Sequence, residues 1–276
     1  MKINGKVAIV TGASSGFGKM LSLRLISSGA RVVLGDISVA AGQELLLQLN
    51  SRSPASAIFV KCDVTKAEDL KLLFDSARKA FGRIDIVVNN AGIVEKEEFT
   101  KDLKDSWKSV IDIDLTAVIM GTRMAISEMV KQPKIDDAVL WRGAIINTAS
   151  LAGLYPQSQQ PIYAAAKSGV VNFTRSLGYL FTEQGIHVNC ICPSFSDTPI
   201  LNTLLGKSVP SHMKVPISLV IDAFILGIED QSLKGKQFSL LQYQSLVDQS
   251  KLVCIALMIF RRCDSCNTRI WNRHCR

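Results

Sequence analysis

The sequence alternates short apolar runs with longer segments of helical periodicity along most of its length. Runs such as AIVTG and IDIVV are apolar at successive positions, as expected for parallel strands covered on both faces. The strand-like runs are KVAIVTG, ARVVLGD, AIFVKCDV, IDIVVNNAG, GAIINTAS, HVNCICPS and KGKQFSLL. Because crossovers between parallel strands are right-handed, this order predicts an α/β fold with a doubly wound parallel sheet and helices on both faces. Ligands of such sheets bind beyond the carboxyl ends of the strands.

The length of 276 residues and the apolar fraction of 47% are sufficient for one large domain with a substantial core. The first residues, MKINGKVAIV, lack the pattern of a secretory signal. The longest apolar run, residues 252–260, has about half the length of a membrane-spanning helix. We therefore expect an intracellular, cytoplasmic protein without a transmembrane segment. Its seven cysteines are an odd number, which favours reduced thiols over a disulfide framework.

Two segments fall outside this alternation. The stretch KQPKIDDAVLW, residues 131–141, carries a proline and paired aspartates, so we interpret it as a surface loop. Residues 246–276 carry much of the net charge of +8 and have an unusual composition rich in cysteine. We interpret them as a basic C-terminal extension of a domain formed by residues 1–245. This extension is either disordered or loosely docked, or it reflects an altered splice or reading frame.

The C-terminal extension raises two further hypotheses. Cys263, Cys266, His274 and Cys275 are possible zinc ligands, but the adjacent His274 and Cys275 suit a tetrahedral site poorly and a single CxxC is weak evidence. We therefore expect no metal. The basic charge could bind nucleic acid or an anionic membrane, but the segment lacks the aromatic or amphipathic organisation of such sites. We therefore expect no nucleic-acid partner.

The first strand-like run leads into the turn TGASSGFG, whose glycines precede a helical segment. A helix amino terminus offers unpaired N–H groups and a partial positive charge, and glycines let a pyrophosphate approach the backbone closely. The spacing G-x-x-x-G-x-G differs from the G-x-G-x-x-G form, so the turn alone is a moderate signal. The predicted phosphate-binding residues are Gly12, Ser14, Ser15, Gly16, Phe17 and Gly18.

Residues at three further strand ends extend the predicted cofactor site. Asp36 lies roughly 20 residues beyond the glycines, where a carboxylate binds the adenosine ribose hydroxyls. Because this charge would repel an additional phosphate, the sequence predicts NAD(H) rather than NADP(H). Asp63 and Val64 end the third run and are predicted to contact the adenine. The segment NNAG ends the fourth run and is predicted to lie along the cofactor through Asn90, Ala91 and Gly92.

In YAAAKSG, Tyr163 and Lys167 are four positions apart and project from one face of the predicted helix. Lowering a tyrosine pKa from near 10 to about 7 requires roughly 4 kcal/mol of preference for the phenolate. One positive charge at about 4 Å supplies on the order of that amount at an effective dielectric constant near 20. We therefore expect Lys167 to lower the pKa of Tyr163. Ser150 ends the fifth run, where its hydroxyl can donate to a substrate carbonyl or alkoxide.

Together, the glycine turn, Asp36, NNAG, Ser150, YAAAK and CPSFSDTP resemble the classical short-chain dehydrogenase/reductase family over residues 4–240. The resemblance implies a single Rossmann-type domain. It also implies that Tyr163 is the general acid/base and that Ser150 positions the reacting oxygen. Lys167 would hold the nicotinamide ribose and lower the tyrosine pKa.

The same resemblance implies contacts around the nicotinamide and a quaternary structure. Thr198 would contact the nicotinamide carboxamide, and Ile191 and Pro193 would border that ring. Members of the family associate through the long helices, which here begin near Ser106 and Tyr163. We therefore expect a homodimer or a homotetramer.

Two positions depart from the family pattern. The family usually has an asparagine at the position of Asp114, where the backbone carbonyl helps to hold a water in a proton relay that ends at the lysine. The main-chain role can survive this change, but a buried carboxylate can also pair with Lys167 and alter the tyrosine pKa. We therefore treat Asp114 as a candidate catalytic residue and expect reduced or pH-shifted activity. Ser194 replaces a glycine, and its Cβ restricts the turn and crowds the nicotinamide.

Residues 199–216, PILNTLLGKSVPSHMKVP, would cover the substrate and are mainly apolar, which favours a hydrophobic secondary alcohol or ketone. Residues 105–126, DSWKSVIDIDLTAVIMGTRMAI, and residues 220–230, VIDAFILGIED, are most similar to NAD-dependent hydroxyprostaglandin-dehydrogenase-like members of the family. The leading hypothesis is an NAD-dependent short-chain alcohol dehydrogenase. The alternatives are an NAD(P)H-dependent carbonyl reductase and a cofactor-binding protein without turnover.

Overall fold

A computed structural model describes residues 1–134, 141–202, 209–230 and 237–240. Within these ranges seven parallel strands form one sheet in the order β3-β2-β1-β4-β5-β6-β7. This arrangement confirms the predicted doubly wound sheet. The strands are β1 (Val7–Thr11), β2 (Arg31–Asp36), β3 (Ala57–Lys61), β4 (Ile86–Asn89), β5 (Gly143–Thr148), β6 (Ile186–Pro193) and β7 (Gln237–Leu240).

Eight α-helices accompany these strands in the described part of the chain. They are α1 (Gly16–Ser27), α2 (Val39–Arg52), α3 (Ala67–Phe81), α4 (Trp107–Ile111), α5 (Ala117–Met129), α6 (Pro161–Ser176), α7 (Leu180–Gln184) and α8 (Ile217–Glu229). A π-helical turn, Asp112–Thr116, lies between α4 and α5. Such turns are frequent at functional sites.

The helices cover both faces of the sheet and form two large apolar cores and a smaller cluster around Val170 of α6. The first contains Leu25 of α1, Leu49 of α2 and Phe224 of α8. The second contains Leu73 of α3 and Ala125 of α5. Strand β1 shows why the strand-like runs are apolar throughout, because its residues 8 and 10 lie in the first core and residue 9 lies in the second.

One predicted surface segment is partly buried. The prediction of a surface loop over residues 131–141 is wrong for its last residue, because Trp141 is 2% exposed. Its indole stacks on the His187 ring with centroids 4.3 Å apart and an interplanar angle of 10°. This contact with β6 buries a residue two positions before the start of β5, whereas residues 135–140 lie outside the described ranges.

The C-terminal predictions fall almost entirely outside the described residues. The predicted strand in KGKQFSLL is confirmed as β7, which ends at Leu240. The boundary near residue 245 and the extension 246–276 lie beyond it, so both stay predictions. In the described residues, no group of three or more His, Cys, Asp and Glu side chains is arranged to hold a metal ion. No helix in those ranges has the length and apolar character needed to cross a membrane.

A buried polar network connects the centre of the sheet to α5 and α6. The Asn89 side-chain amide donates to Thr122 Oγ1 at 3.1 Å and to Asn147 Oδ1 at 2.9 Å. The Asn147 amide donates to Thr174 Oγ1 at 3.0 Å. All four side chains are at most 4% exposed, so each depends on the others for hydrogen-bond partners.

We expect Asn147→Ala to lower the free energy of unfolding by about 2–4 kcal/mol, because it leaves buried partners of Asn147 unsatisfied and opens a small cavity. Urea denaturation followed by circular dichroism measures this change. Asn172→Ala is the matched control, since Asn172 is exposed on α6, and it should change stability by less than about 0.5 kcal/mol. Equal stability of the two variants would contradict a stabilising role for the network.

Candidate active site

A cavity of about 410 Å³ opens at the carboxyl edge of the sheet. Its wall is formed by the β1–α1 turn, the ends of β4, β5 and β6, and the first turns of α6. Because all strands are parallel, segments that are distant in sequence end together at this edge. The wall includes many of the predicted site residues, namely Gly12, Ser15, Gly16, Phe17, Asn90, Ala91, Gly92, Ser150, Tyr163, Lys167, Pro193 and Thr198.

The remaining predicted residues do not line this cavity. They are Ser14, Gly18, Asp36, Asp63, Val64, Asp114 and Ile191. Ile191 was predicted to border the nicotinamide ring. This prediction is wrong, because Ile191 is fully buried in the first core and does not line the cavity. It precedes Pro193 by two residues on the same strand face, which places it about 7 Å deeper in the sheet.

The glycines of the β1–α1 turn are required by close backbone packing. Gly12 and Gly16 have φ angles of +60° and +50°, a region that L side chains rarely adopt. A Cβ at Gly18 would lie 2.1 Å from the carbonyl oxygen of Gly12. Gly18 therefore lets α1 begin directly against the turn. Gly16 and Phe17, whose N–H groups lack acceptors within the helix, line the cavity.

Asp36 lies at the end of β2 beside this turn. Its carboxylate accepts the N–H of Ser14 at 2.8 Å and the N–H of Ser38 at 2.9 Å. These bonds hold the carboxylate next to the glycine turn without placing it in the cavity wall. Thr198 is buried beside the same turn, since a Cβ at Gly16 would lie 3.4 Å from the Thr198 Cβ, and its N–H donates to Ser196 O at 2.7 Å.

The predicted adenine contacts occupy a different environment from the one expected. Strand β3 ends at Lys61, two residues before Asp63. The Asp63 carboxylate accepts hydrogen bonds from the N–H and the hydroxyl of Thr65 at 3.1 and 2.7 Å. Val64 packs in the second core and lines a small void of about 10 Å³ beside Ala91. An adenine contact from these two residues stays a prediction.

Asn90 connects the end of β4 to the glycine turn. Its side-chain amide donates to the carbonyl oxygens of Thr11 and Gly12 at 3.0 and 3.2 Å. The same turn approaches Ala91 so closely that a Cβ at Gly12 would lie 2.8 Å from the Ala91 Cα. The NNAG segment and the glycine turn therefore form one rigid wall of the cavity.

Ser150, Tyr163 and Lys167 converge on the cavity from β5 and α6. The Lys167 ammonium lies 5.4 Å from the centroid of the Tyr163 ring, as the i, i+4 spacing on α6 predicts. The Ser150 hydroxyl lies near Tyr163 and lowers the pKa of the phenol. Ser150 Oγ also accepts the N–H of Ala152 at 3.2 Å, which fixes its side chain at the start of a short turn. The three predicted catalytic side chains therefore lie within one site.

Two of the three alanines between Tyr163 and Lys167 account for the close packing of α6. Ala164 and Ala166 are buried, whereas Ala165 is exposed. The neighbouring turn also approaches the helix closely, since a Cβ at Gly153 would lie 2.6 Å from the carbonyl oxygen of Lys167. Small residues on this side of α6 let the helix lie against the end of β5.

Asp114 pairs with Lys167, which is the contact expected of a buried carboxylate at this position. Asp114 lies in the π-helical turn and is fully buried, and its Oδ2 is 2.9 Å from Lys167 Nζ. Its other carboxylate oxygen accepts the N–H of Ile93 at 2.8 Å. Lys167 Nζ also donates to Thr148 O at 2.9 Å. Gly92 packs against the pair, because a Cβ there would lie 3.0 Å from Asp114 Oδ2.

The electrostatics of this cluster differ from the sequence prediction. Burial raises the pKa of Tyr163, and although Lys167 lowers it, Asp114 raises it further, so the pKa lies above its ordinary value. Lys167 therefore lowers the tyrosine pKa, as predicted, but burial outweighs this effect, so the expected net lowering of the pKa is wrong. Burial lowers the pKa of Lys167, but Asp114 and then Tyr163 raise it, so the ammonium stays charged.

Burial also raises the pKa of Asp114, a shift that the charge of Lys167 opposes. The carboxylate and the ammonium therefore depend on each other for their charged forms. This pairing leaves less of the Lys167 charge available to favour a phenolate at Tyr163.

Several wall residues and one buried carboxylate were not found from the sequence. Val94, Leu151, Tyr155, Gln160 and others add an apolar and amide surface to the cavity. Glu95 is 5% exposed, and its carboxylate accepts the N–H groups of Ile162 and Tyr163, both at 2.9 Å. No local pattern marks these residues, because they meet the site through contacts between distant segments.

The sequence matches the family model described as short chain dehydrogenase over residues 6–207. It is 36% identical to 15-hydroxyprostaglandin dehydrogenase (NAD+) of Bos taurus, and the match covers 85% of this chain and 90% of that protein. The corresponding protein of Mus musculus is 40% identical, with 85% and 89% covered. The 3-oxoacyl-(acyl-carrier-protein) reductase of Thermotoga maritima is 32% identical, with 75% and 81% covered.

A solved structure has the same fold. The crystal structure of 3-ketoacyl-(acyl-carrier-protein) reductase from Brucella melitensis, complexed with NADH, superposes with a TM-score of 0.76 at 26% sequence identity. The match covers 87% of this chain and 98% of that chain. The family match, the relatives and the parallel sheet agree with the resemblance carried by the motifs. The chain belongs to the short-chain dehydrogenase family, is a Rossmann-fold oxidoreductase and is similar to 15-hydroxyprostaglandin dehydrogenases.

Proposed function

We propose that this protein oxidises a hydrophobic secondary alcohol to a ketone with NAD+, using Tyr163 as the general base. The observation that carries this proposal is the convergence of Ser150, Tyr163 and Lys167 on one cavity beside the glycine turn. The bovine and murine relatives are named as NAD+ dehydrogenases. That naming favours the oxidation of an alcohol with the same cofactor.

The residues around the glycine turn fit a dinucleotide. A side chain at Gly18 would collide with the Gly12 carbonyl, so the turn keeps a cradle of backbone N–H groups that a pyrophosphate can approach. Asp36, fixed beside the turn by two backbone N–H groups, would accept the adenosine ribose hydroxyls. Lys167 and Tyr163 would hold the nicotinamide ribose, with Pro193 and Thr198 at the ring. When bound, the oxidised cofactor supplies a hydride acceptor and a positive charge.

The protein contributes proton transfer and orientation. Tyr163, as a phenolate, would take the proton of the substrate hydroxyl, and a bound oxidised cofactor would supply the hydride acceptor. The Ser150 hydroxyl, held by its bond from the Ala152 N–H, orients the substrate oxygen next to Tyr163. The positive charge of Lys167 favours the phenolate, and Asp114 reduces that effect.

The cavity wall favours a substrate that is apolar and uncharged. Val94, Leu151, Phe195 and Leu201 contribute apolar side chains to the wall. Among the described wall residues, Lys167 is the only charged side chain, and it is already paired. Residues 203–208 of the predicted substrate-covering segment lie outside the described ranges. We also propose a homodimer or homotetramer, as the family resemblance implies.

Carbonyl reduction is the second candidate, and the pKa of Tyr163 favours it. A raised pKa keeps the phenol protonated, which is the form that donates a proton to a ketone as it accepts hydride. The relative from Thermotoga maritima is named as a reductase. The same three side chains serve both directions, and the supplied cofactor and substrate determine which one is observed.

Tyr163→Phe should lower kcat roughly 100- to 10,000-fold for secondary alcohols with NAD+, because the proton acceptor is lost. NADH formation measured at 340 nm with a panel of hydrophobic secondary alcohols tests this. NADH binding measured by fluorescence should weaken by no more than about tenfold, because only one contact to the ribose is lost. Tyr179→Phe is the control, since Tyr179 is an exposed residue outside the cavity. If the unmodified protein binds NADH but turns over neither alcohols nor ketones, it is a cofactor-binding protein without turnover.

The unmodified protein should bind NADH about 100-fold more tightly than NADPH, which corresponds to roughly 3 kcal/mol, because Asp36 repels the additional phosphate. Asp36→Ser should remove most of this preference, whereas Asp75→Asn on the exposed face of α3 should not. Isothermal titration calorimetry measures the dissociation constants. Equal binding of the two cofactors by the unmodified protein would show that the assignment of Asp36 is wrong.

Asp114→Asn should move the rise of kcat/KM for alcohol oxidation to lower pH. Oxidation requires the phenolate, so the rate rises with pH through the pKa of Tyr163. Asp114 raises that pKa, as does Cys192, while Lys167 lowers it. Removing the carboxylate therefore lowers the pKa. A pH–rate profile measures the shift, and Asp112→Asn, exposed in the same π-helical turn, is the control. Superimposable profiles for Asp114→Asn and the unmodified protein would exclude this role.

A further inference from the structure

The first turn of α6 is capped by a residue that is distant in sequence. Pro161 begins the helix and has no N–H, and the N–H of Ala164 donates to Gln160 O at 3.0 Å. The two donors between them, on Ile162 and Tyr163, both bind the carboxylate of Glu95 at 2.9 Å. One carboxylate therefore satisfies both remaining N–H groups of the turn that carries the tyrosine.

Local sequence does not provide this cap. Gln160 occupies the N-cap position, but its side chain makes no cap hydrogen bond and lines the cavity instead. Helices are usually capped by a Ser, Thr, Asp or Asn at that position. Because Glu95 supplies both hydrogen bonds, the amide of Gln160 is not needed to cap the helix.

Glu95 also connects the cavity wall after β4 to helix α6. It follows Val94, which lines the cavity, and it lies in the same connection as Asn90 and Gly92. The carboxylate is 5% exposed and points at the positive end of α6, where a negative charge is favourable. Hydrogen bonds to an ionised acceptor are short and strong, so they fix the backbone of Tyr163 against this connection.

We propose that Glu95 is a positioning residue for proton transfer, setting the location of the Tyr163 hydroxyl through the backbone N–H groups of Ile162 and Tyr163. The proposal rests on the proposed function, in which Tyr163 exchanges the proton. A small displacement of a reacting group costs up to roughly 100-fold in rate, so this cap acts on catalysis as well as on stability.

Glu95→Gln tests this role because glutamine keeps the shape but accepts hydrogen bonds through one oxygen only, and its NH2 group faces the other donor. We expect kcat to fall roughly 10- to 100-fold while the NADH dissociation constant changes less than about threefold. Asp102→Asn is the matched control, because Asp102 also accepts two backbone N–H groups, those of Ser106 and Trp107 at 3.0 and 2.9 Å, next to α4 and outside the cavity wall.

Asp102→Asn should lower Tm without lowering kcat. If Glu95→Gln lowers Tm to a similar extent and leaves kcat unchanged, Glu95 has only a structural role and the proposal is wrong. Should Glu95→Gln fail to fold, Glu95→Asp keeps the charge on a shorter side chain, and a kcat below that of the unmodified protein with unchanged NADH binding is then expected. Unchanged kcat in a folded Glu95→Asp variant, with Glu95→Gln unfolded, would also overturn the proposal.

A second readout does not require turnover. In protein labelled with ¹³C at tyrosine Cζ, the resonance that disappears in Tyr163→Phe reports the environment of this phenol. Glu95→Gln should displace that resonance, whereas Asp102→Asn should not. If the unmodified protein shows no turnover but the displacement occurs, the proposed function fails and the positioning contact stands. An unmoved resonance in Glu95→Gln overturns the positioning role itself.

Discussion

The buried ammonium of Lys167 is the feature on which the rest of the candidate active site depends. Its side chain is 3% exposed, and an unpaired charge at such a position costs several kcal/mol, by an order-of-magnitude estimate. Two oxygens compensate this cost, the carbonyl of Thr148 and the carboxylate of Asp114, each at 2.9 Å. The end of β5, the π-helical turn and α6 are therefore joined by one charge. That charge also fixes where the neighbouring Tyr163 ring can lie.

Because Asp114 pairs with the Lys167 ammonium, the pKa of Tyr163 differs from the one expected from the sequence. The estimate from the YxxxK spacing considers one isolated positive charge, whereas the folded protein adds the burial of the phenol and the opposing charge of Asp114. Both raise the pKa of Tyr163, so the phenol is protonated at rest. Under the proposed function, oxidation requires further positive charge beside Tyr163, and an oxidised nicotinamide held by Tyr163 and Lys167 would supply it. The proton state of Tyr163 would then depend on the redox state of the cofactor.

The parts of the fold that the sequence predicted are those determined by local patterns. The strand-like runs are continuous because both faces of β1 and its neighbours are covered, and the glycine turn and YAAAK carry their function within a few residues. Strand β3 lies at the sheet edge and ends earlier than its apolar run suggested. The burial of Trp141 against His187 and the bonds from Glu95 to α6 join segments 46 and 67 residues apart. Contacts at such separations have no periodic signal in the sequence.

The connection between β4 and α5 contributes more to the site than its NNAG motif. Glu95 and Asp114 both lie in it, and both are buried carboxylates directed at α6. Glu95 holds the backbone of Tyr163, while Asp114 holds the side chain of Lys167 one turn further along the helix. Helix α6 lacks a local cap and carries a buried ammonium. The same distant connection supplies both the acceptor for its first N–H groups and the counter-charge for its ammonium. The geometry that brings Tyr163 to the cavity is therefore complete only when this connection has folded against α6.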